Sequence, residues 1–142
     1  MDEGTRALLQ AHLEKARQKQ KAAASLLKAG FFEDAVSRAY YAAYHAAQAA
    51  LLTEGHQADT HKGLTTLFGL FFVKTGRIEK RFGRYLSNLK DDRETSDYEA
   101  LAWVDEQVAE KAIQEAGEFC EAIEGYLAKI GLAAASSMSA SM

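Results

Sequence analysis

Arg38, Tyr41, His45 and Gln48 recur at three- and four-residue steps inside one alanine-rich stretch, residues 33–52. At 100° per residue they share, with Ser37 and Tyr44, an arc of about 120° on a helix. Arg38 and His45 are two turns apart along it, roughly 10 Å in rise. An arginine can grip a phosphate through its planar fork while a histidine moves a proton, the two tasks of metal-independent RNA cleavage. The same stripe also has a structural explanation. Arg38 would pair with a carboxylate of the last helix, and His45 and the tyrosines would satisfy one another, because buried charge persists only when paired.

A second constellation is Arg93-Glu94-Thr95-Ser96-Asp97-Tyr98. Ser96 with Glu99 three residues later reads as a capping box, which makes Arg93 part of a loop entering the positive end of a helix. Free N–H groups and the helix dipole at such an end attract phosphate, and Arg93 adds a bidentate donor. Asp97 would then be a general base or only a favourable first-turn acid. His61, on the apolar face of a further helix, is either a phosphate ligand or a satisfied core or capping residue. No glycine-rich phosphate loop, HExxH, GxSxG or zinc-spaced Cys/His cluster is present, so no metal and no cofactor is expected.

The elements that must position these residues are all helices. Residues 33–52 hold eight alanines and no Gly or Pro, and their apolar circumference exceeds a single stripe. That marks a central helix. Residues 4–29 form an amphipathic outer helix with Leu9, Leu13, Ala16, Ala23 and Leu27 inward. Thr60 caps a third helix over 61–75 with His61, Leu64, Phe68, Phe71 and Phe72 inward. A basic helix over 77–89 and a polar loop over 90–95 follow. A long helix from the Ser96 cap to about Ile130 closes the bundle. The fold class is all-α, an up-and-down bundle of four to five helices, with residues 1–131 as one domain and 132–142 as a disordered tail.

Composition sets the outer limits. The chain has 142 residues, 48% hydrophobic and 26% charged, with a net charge of −3. This is an ordinary globular balance and not that of a protein that coats nucleic acid, so an RNA contact must be local. Residues 74–93 are predominantly basic, and the segment after them is acidic. One cysteine, Cys120, excludes an internal disulfide and reads as a core filler. No apolar run reaches membrane-span length and no signal-peptide core is present, so a cytoplasmic location without membrane partners is expected.

Taken together, Ser37 to Leu52, His61-Lys62-Gly63-Leu64 before a Phe-rich helix, Arg93 with Asp97-Tyr98, Ala116-Gly117-Glu118-Phe119 and Tyr126-Leu127 resemble the HEPN domain family over residues 5–130. The resemblance implies a helical bundle that forms a homodimer. It also implies pairing with a minimal nucleotidyltransferase in a toxin–antitoxin-type module, the HEPN member being the ribonuclease. RNA-cutting members carry Arg, four to six residues, then His, often followed by Tyr. Arg38 and His45 fit this spacing, although active members carry the motif late in the chain. At the late position Arg93 and Tyr98 are present without a following histidine. Two functions follow from the resemblance. One is an endoribonuclease whose Arg93 and Arg38 hold phosphate, with Tyr41 and His61 lining the site and His45, Asp97 or Tyr98 assisting. The other is a non-catalytic dimeric module that holds a nucleotide or presents substrate to its partner.

Overall fold

The computed structural model describes residues 1–98, 100 and 104–132. It comprises α1 (Glu3–Lys28), α2 (Phe32–Leu52), α3 (His61–Phe68), α4 (Lys80–Tyr98) and α5 (Glu106–Lys129), with a π-helical turn, Gly69–Val73, extending α3. Among the described residues there is no strand. α2 is central as its composition requires: it packs against α1, α3, α4 and α5. Ala35, Ala39, Ala42, Ala43, Ala46, Ala47, Ala49 and Ala50 are all buried. Small side chains around the whole helix let four neighbours approach closely, so alanine supplies both propensity and packing here.

Local sequence sets the helix ends. The Asp2 carboxylate accepts from the Thr5 N–H at 2.7 Å to open α1, and Thr60 Oγ1 accepts from the Gly63 N–H at 2.8 Å to open α3. Gly30, at φ 86°, makes the left-handed turn that ends α1, where a side chain would be strained. Gln48 fastens the α2–α3 connection, donating to the Ala58 carbonyl at 2.8 Å and accepting from the Ala58 N–H at 3.0 Å. The core is the inner faces of the five helices, with Tyr40, Phe68, Phe72 and Phe119 its largest fully buried side chains.

The structure corrects the sequence reading between residues 90 and 105. No loop occupies 90–95, and Ser96 caps nothing. α4 runs unbroken to Tyr98, and Ser96 is buried within it. The cap of α5 is Asp105, whose carboxylate accepts from the Val108 N–H at 2.9 Å. The error has a physical cause: a polar composition marks a loop only if no apolar stripe runs through it, and Leu86, Leu89, Arg93 and Ser96 continue the buried stripe of α4. The third helix also departs from expectation, turning π-helical at Gly69 instead of continuing as α-helix to 75. Ile130 stands at the C-terminal cap of α5 and is exposed, with Leu127 buried in its place. Glu99 of the expected capping box lies outside the described residues, as does nearly all of the expected tail.

Candidate functional site

Arg93 sits one turn before the end of α4 and only 5% of it is exposed. Its Nη1 donates to Asp97 Oδ2 at 3.2 Å, one turn along the same helix, and to the Tyr41 hydroxyl at 3.4 Å. The guanidinium carbon lies 5.4 Å from the Tyr40 ring centroid and 5.6 Å from those of Tyr41 and Tyr98. Three aromatic faces around one cation stabilise it through their quadrupoles, more so out of water. Burial works against the charge, but the contacts with Tyr98, Tyr41 and Asp97 outweigh it and hold Arg93 above its ordinary pKa. Its Nε–H, buried and without a partner among the described residues, is an unspent donor.

Tyr40, Tyr41 and Tyr44 are the α2 wall of this site. Tyr40 is fully buried, and its hydroxyl is 2.7 Å from Nδ1 of His61, the first residue of α3. The His61 ring centroid lies 5.3, 6.0 and 5.6 Å from the three tyrosine centroids in turn, edge to face. Burial, then the positive charge of Arg93, lowers the His61 pKa; Lys90 adds to this and Glu94 opposes it. His61 is therefore neutral at pH 7. Burial also pushes the Tyr40 phenol well up, so its hydroxyl keeps its proton. Tyr98, 73% exposed, covers Arg93 on the solvent side. An open groove of about 480 Å³ lies there, lined by Asp91, Arg93, Glu94, Thr95 and Tyr98.

The predicted residues therefore divide. Arg93, Asp97, Tyr98, Tyr41 and His61 come together in one cluster. Arg38 is exposed, and among the described residues it makes no ion pair with a carboxylate. Arg38 is thus not the buried partner of a carboxylate on the last helix. His45 turns the other way, toward α1, where its Nδ1 lies 3.0 Å from Nδ1 of His12. Burial, His12, Lys15 and Lys19 drive its pKa down to about 4. The polar arc of α2 is wide enough to be shared between two neighbours, Tyr41 facing α4 and His45 facing α1. Asp97 is held by Arg93, so it is not the free base that a position in a loop would have allowed.

The sequence places Tyr44 on the polar arc but does not single out Tyr40 or His12. The step of four from Tyr40 to Tyr44 is the signal that the two share a face. His12 offered none, because its partner is 33 residues away. Cys120 is the expected core filler: it is buried and its thiol is pushed up to about 12, chiefly by burial, which leaves it unreactive. Among the described residues no group of His, Cys, Asp and Glu could hold a metal ion, and no helix is long and apolar enough to cross a membrane.

The model of the HEPN domain matches residues 9–126, which include every member of the cluster. A Methanocaldococcus jannaschii protein named "Putative toxin MJ0605" is 38% identical over 86% of this chain and 90% of its own length. A second protein of that organism, "Putative toxin MJ0142", is 29% identical over 81% of this chain and 78% of its own. A "UPF0332 protein" of Thermotoga maritima is 35% identical over 70% and 75%. On these matches, and on an all-helical bundle gathering the same late arginine and tyrosine that the sequence resemblance rested on, the chain belongs to the HEPN domain family.

Proposed function

We propose that this protein is the toxin-like member of a toxin–antitoxin-type module, that it binds RNA or nucleotide phosphate at the Arg93–Tyr98 corner, and that its expected partner is a minimal nucleotidyltransferase. The observation that carries the reading is the cation itself. Arg93 is buried among three tyrosines with an unspent Nε–H, beneath a tyrosine that is 73% exposed and flanks an open groove. An exposed aromatic over a fixed arginine is the combination that stacks a base and holds the adjacent phosphate. The names of the two archaeal relatives point the same way. A homodimer would set two such corners facing one another.

Of the two activities, binding without cleavage is the better supported. No histidine follows Arg93 on α4, Asp97 is tied to the arginine at 3.2 Å, and Glu94, which also lines the groove, is tied to Lys90 at 2.9 Å. Asp97 and Glu94 are thus both engaged by cations and neither is held ready as a general base.

The test is expression from a tight promoter together with binding of a fluorescent oligouridylate. Wild-type protein should slow growth and bind the oligonucleotide. Tyr98→Ala, which removes an exposed ring and leaves the core intact, should weaken binding about tenfold. Unimpeded growth at good expression and no oligonucleotide binding would overturn the reading.

A further inference from the structure

The hydroxyl of Tyr40 is fully buried, and His61 Nδ1, at 2.7 Å, is its only hydrogen-bonding partner among the described residues. This settles which atom carries which proton. A tyrosine hydroxyl has one hydrogen to give, and leaving it unpaired in the core costs far more than leaving a phenol lone pair unused. Tyr40 therefore donates and Nδ1 accepts. A neutral imidazole that accepts at Nδ1 must carry its hydrogen at Nε2. That nitrogen has no protein partner among the described residues, and His61 is only half-buried.

His61 and Arg93 rest against the same Tyr40 ring, 5.3 Å from its centroid for the imidazole and 5.4 Å for the guanidinium carbon. One comes from the start of α3 and the other from the last turns of α4. We propose that Tyr40 locks His61 as an Nε2–H donor, and that His61 and Arg93 together hold one oxyanion of the phosphate or sulfate class. This deepens the phosphate-binding reading above and rests on it for the ligand's class. The assignment also gives His61 a definite role. With its hydrogen already on Nε2, neutral His61 cannot take a proton there and is an anion ligand, not a general base.

The pH dependence follows from the same geometry. The groups facing His61 are Tyr40, Tyr41 and Tyr44 from α2 and Lys90, Arg93 and Glu94 from α4. Both its neutral and its charged form carry the Nε2 hydrogen; in the charged form Nδ1 donates instead and the Tyr40 hydroxyl turns to accept, and only this form adds Coulomb attraction to the anion. Anion affinity should therefore rise as pH falls, with a proton taken up on binding. A base would do the opposite and fall silent once protonated.

Two measurements on the whole protein test this. The first is long-range nitrogen–proton correlation NMR at pH 7.5, with inorganic sulfate titrated in. Its outcome does not depend on whether RNA is the ligand. The Nε2–H form of His61 and a shift of its ring signals with sulfate are expected. An Nδ1–H form, or ring signals unmoved by saturating sulfate, would overturn the proposal. The second is sulfate affinity by calorimetry from pH 7.5 to 5.5. Wild-type affinity should increase toward acid, and His61→Phe should be about tenfold weaker and flat with pH. Affinity for sulfate unchanged in His61→Phe but lost in Arg93→Lys would refute the role of His61 and leave the Arg93 reading standing. Sulfate binding of the expected form with no affinity for oligouridylate would do the reverse.

Discussion

Arg93 shows how far residue chemistry can be read from sequence and where it stops. Its value as a cation was legible; its burial among tyrosines was not, because two of those tyrosines are about fifty residues away in the chain. Replacing it with methionine removes the cation and leaves Asp97 unpaired, and we expect a loss of about 2 kcal/mol in urea unfolding. Arg93→Lys keeps the charge but not the planar stacking surface, and should lose about half as much. Equal losses would mean that charge alone matters. The His12–His45 contact gives a second prediction. The pKa of His45 in the fold, about 4, lies below that of an unfolded histidine, so the unfolded chain binds more protons between those values. Stability is fully present above about pH 6.5 and is lost progressively toward pH 4. Asp92 and Glu115, whose pKa values burial raises, act in the opposite direction over the acid end of that window. The comparison that isolates the histidine is thus wild type against His45→Gln. Between pH 7 and 5 the wild-type melting temperature should fall more steeply; parallel curves would contradict it.

At the level of elements, periodicity was the reliable signal and composition the misleading one. Leu9, Leu13 and Ala16 in α1 and Leu64, Phe68 and Phe72 in the α3 region are buried as their spacing implies. The segment 90–98 was misassigned because a capping-box motif is only four residues long, and its statistics say nothing about the stripe running through it. The two assignments of the α5 start differ in what they predict. Were Ser96 an N-cap, Ser96→Ala would cost about 1 kcal/mol. Buried inside α4 with its hydroxyl unpartnered among the described residues, Ser96 costs little to replace, and alanine, the better helix former, should leave stability unchanged or slightly higher. Asp105→Ala should carry the cap's cost of about 1 kcal/mol instead. Urea midpoints of the two variants decide the matter, and a destabilised Ser96→Ala with a neutral Asp105→Ala would reverse the assignment. The π-helical turn at Gly69–Val73 left no comparable trace in the sequence, since its apolar pattern also fits an α-helix.

For the whole molecule, the question is whether nucleic acid would be held by a surface field or by a corner. The net charge of −3 argues against a field, but residues 74–93 are locally basic. The structure shows how much of that basicity is already engaged: Arg77 pairs with Glu54, Arg81 with Glu79 at 3.4 Å, Lys90 with Glu94 at 2.9 Å and Arg93 with Asp97. Lys74, Lys80 and Arg84 have no such carboxylate among the described residues. Binding to a single-stranded ribonucleotide oligomer should therefore be only weakly salt-dependent. Each neutralised phosphate contributes a slope of about −0.7 to log K against log salt for single strands, so one or two contacts at the Arg93 corner predict about −0.7 to −1.4 per site. A homodimer binding one strand across both corners would double this, and light scattering at micromolar concentration should accordingly give twice 15.6 kDa. The slope and the mass check each other. A slope near −1.4 or shallower with a monomeric mass would confine recognition to one corner. A slope steeper than about −3 would move it to the basic face of α4, where Lys80→Glu and Arg84→Glu, and not Tyr98→Ala, would abolish binding.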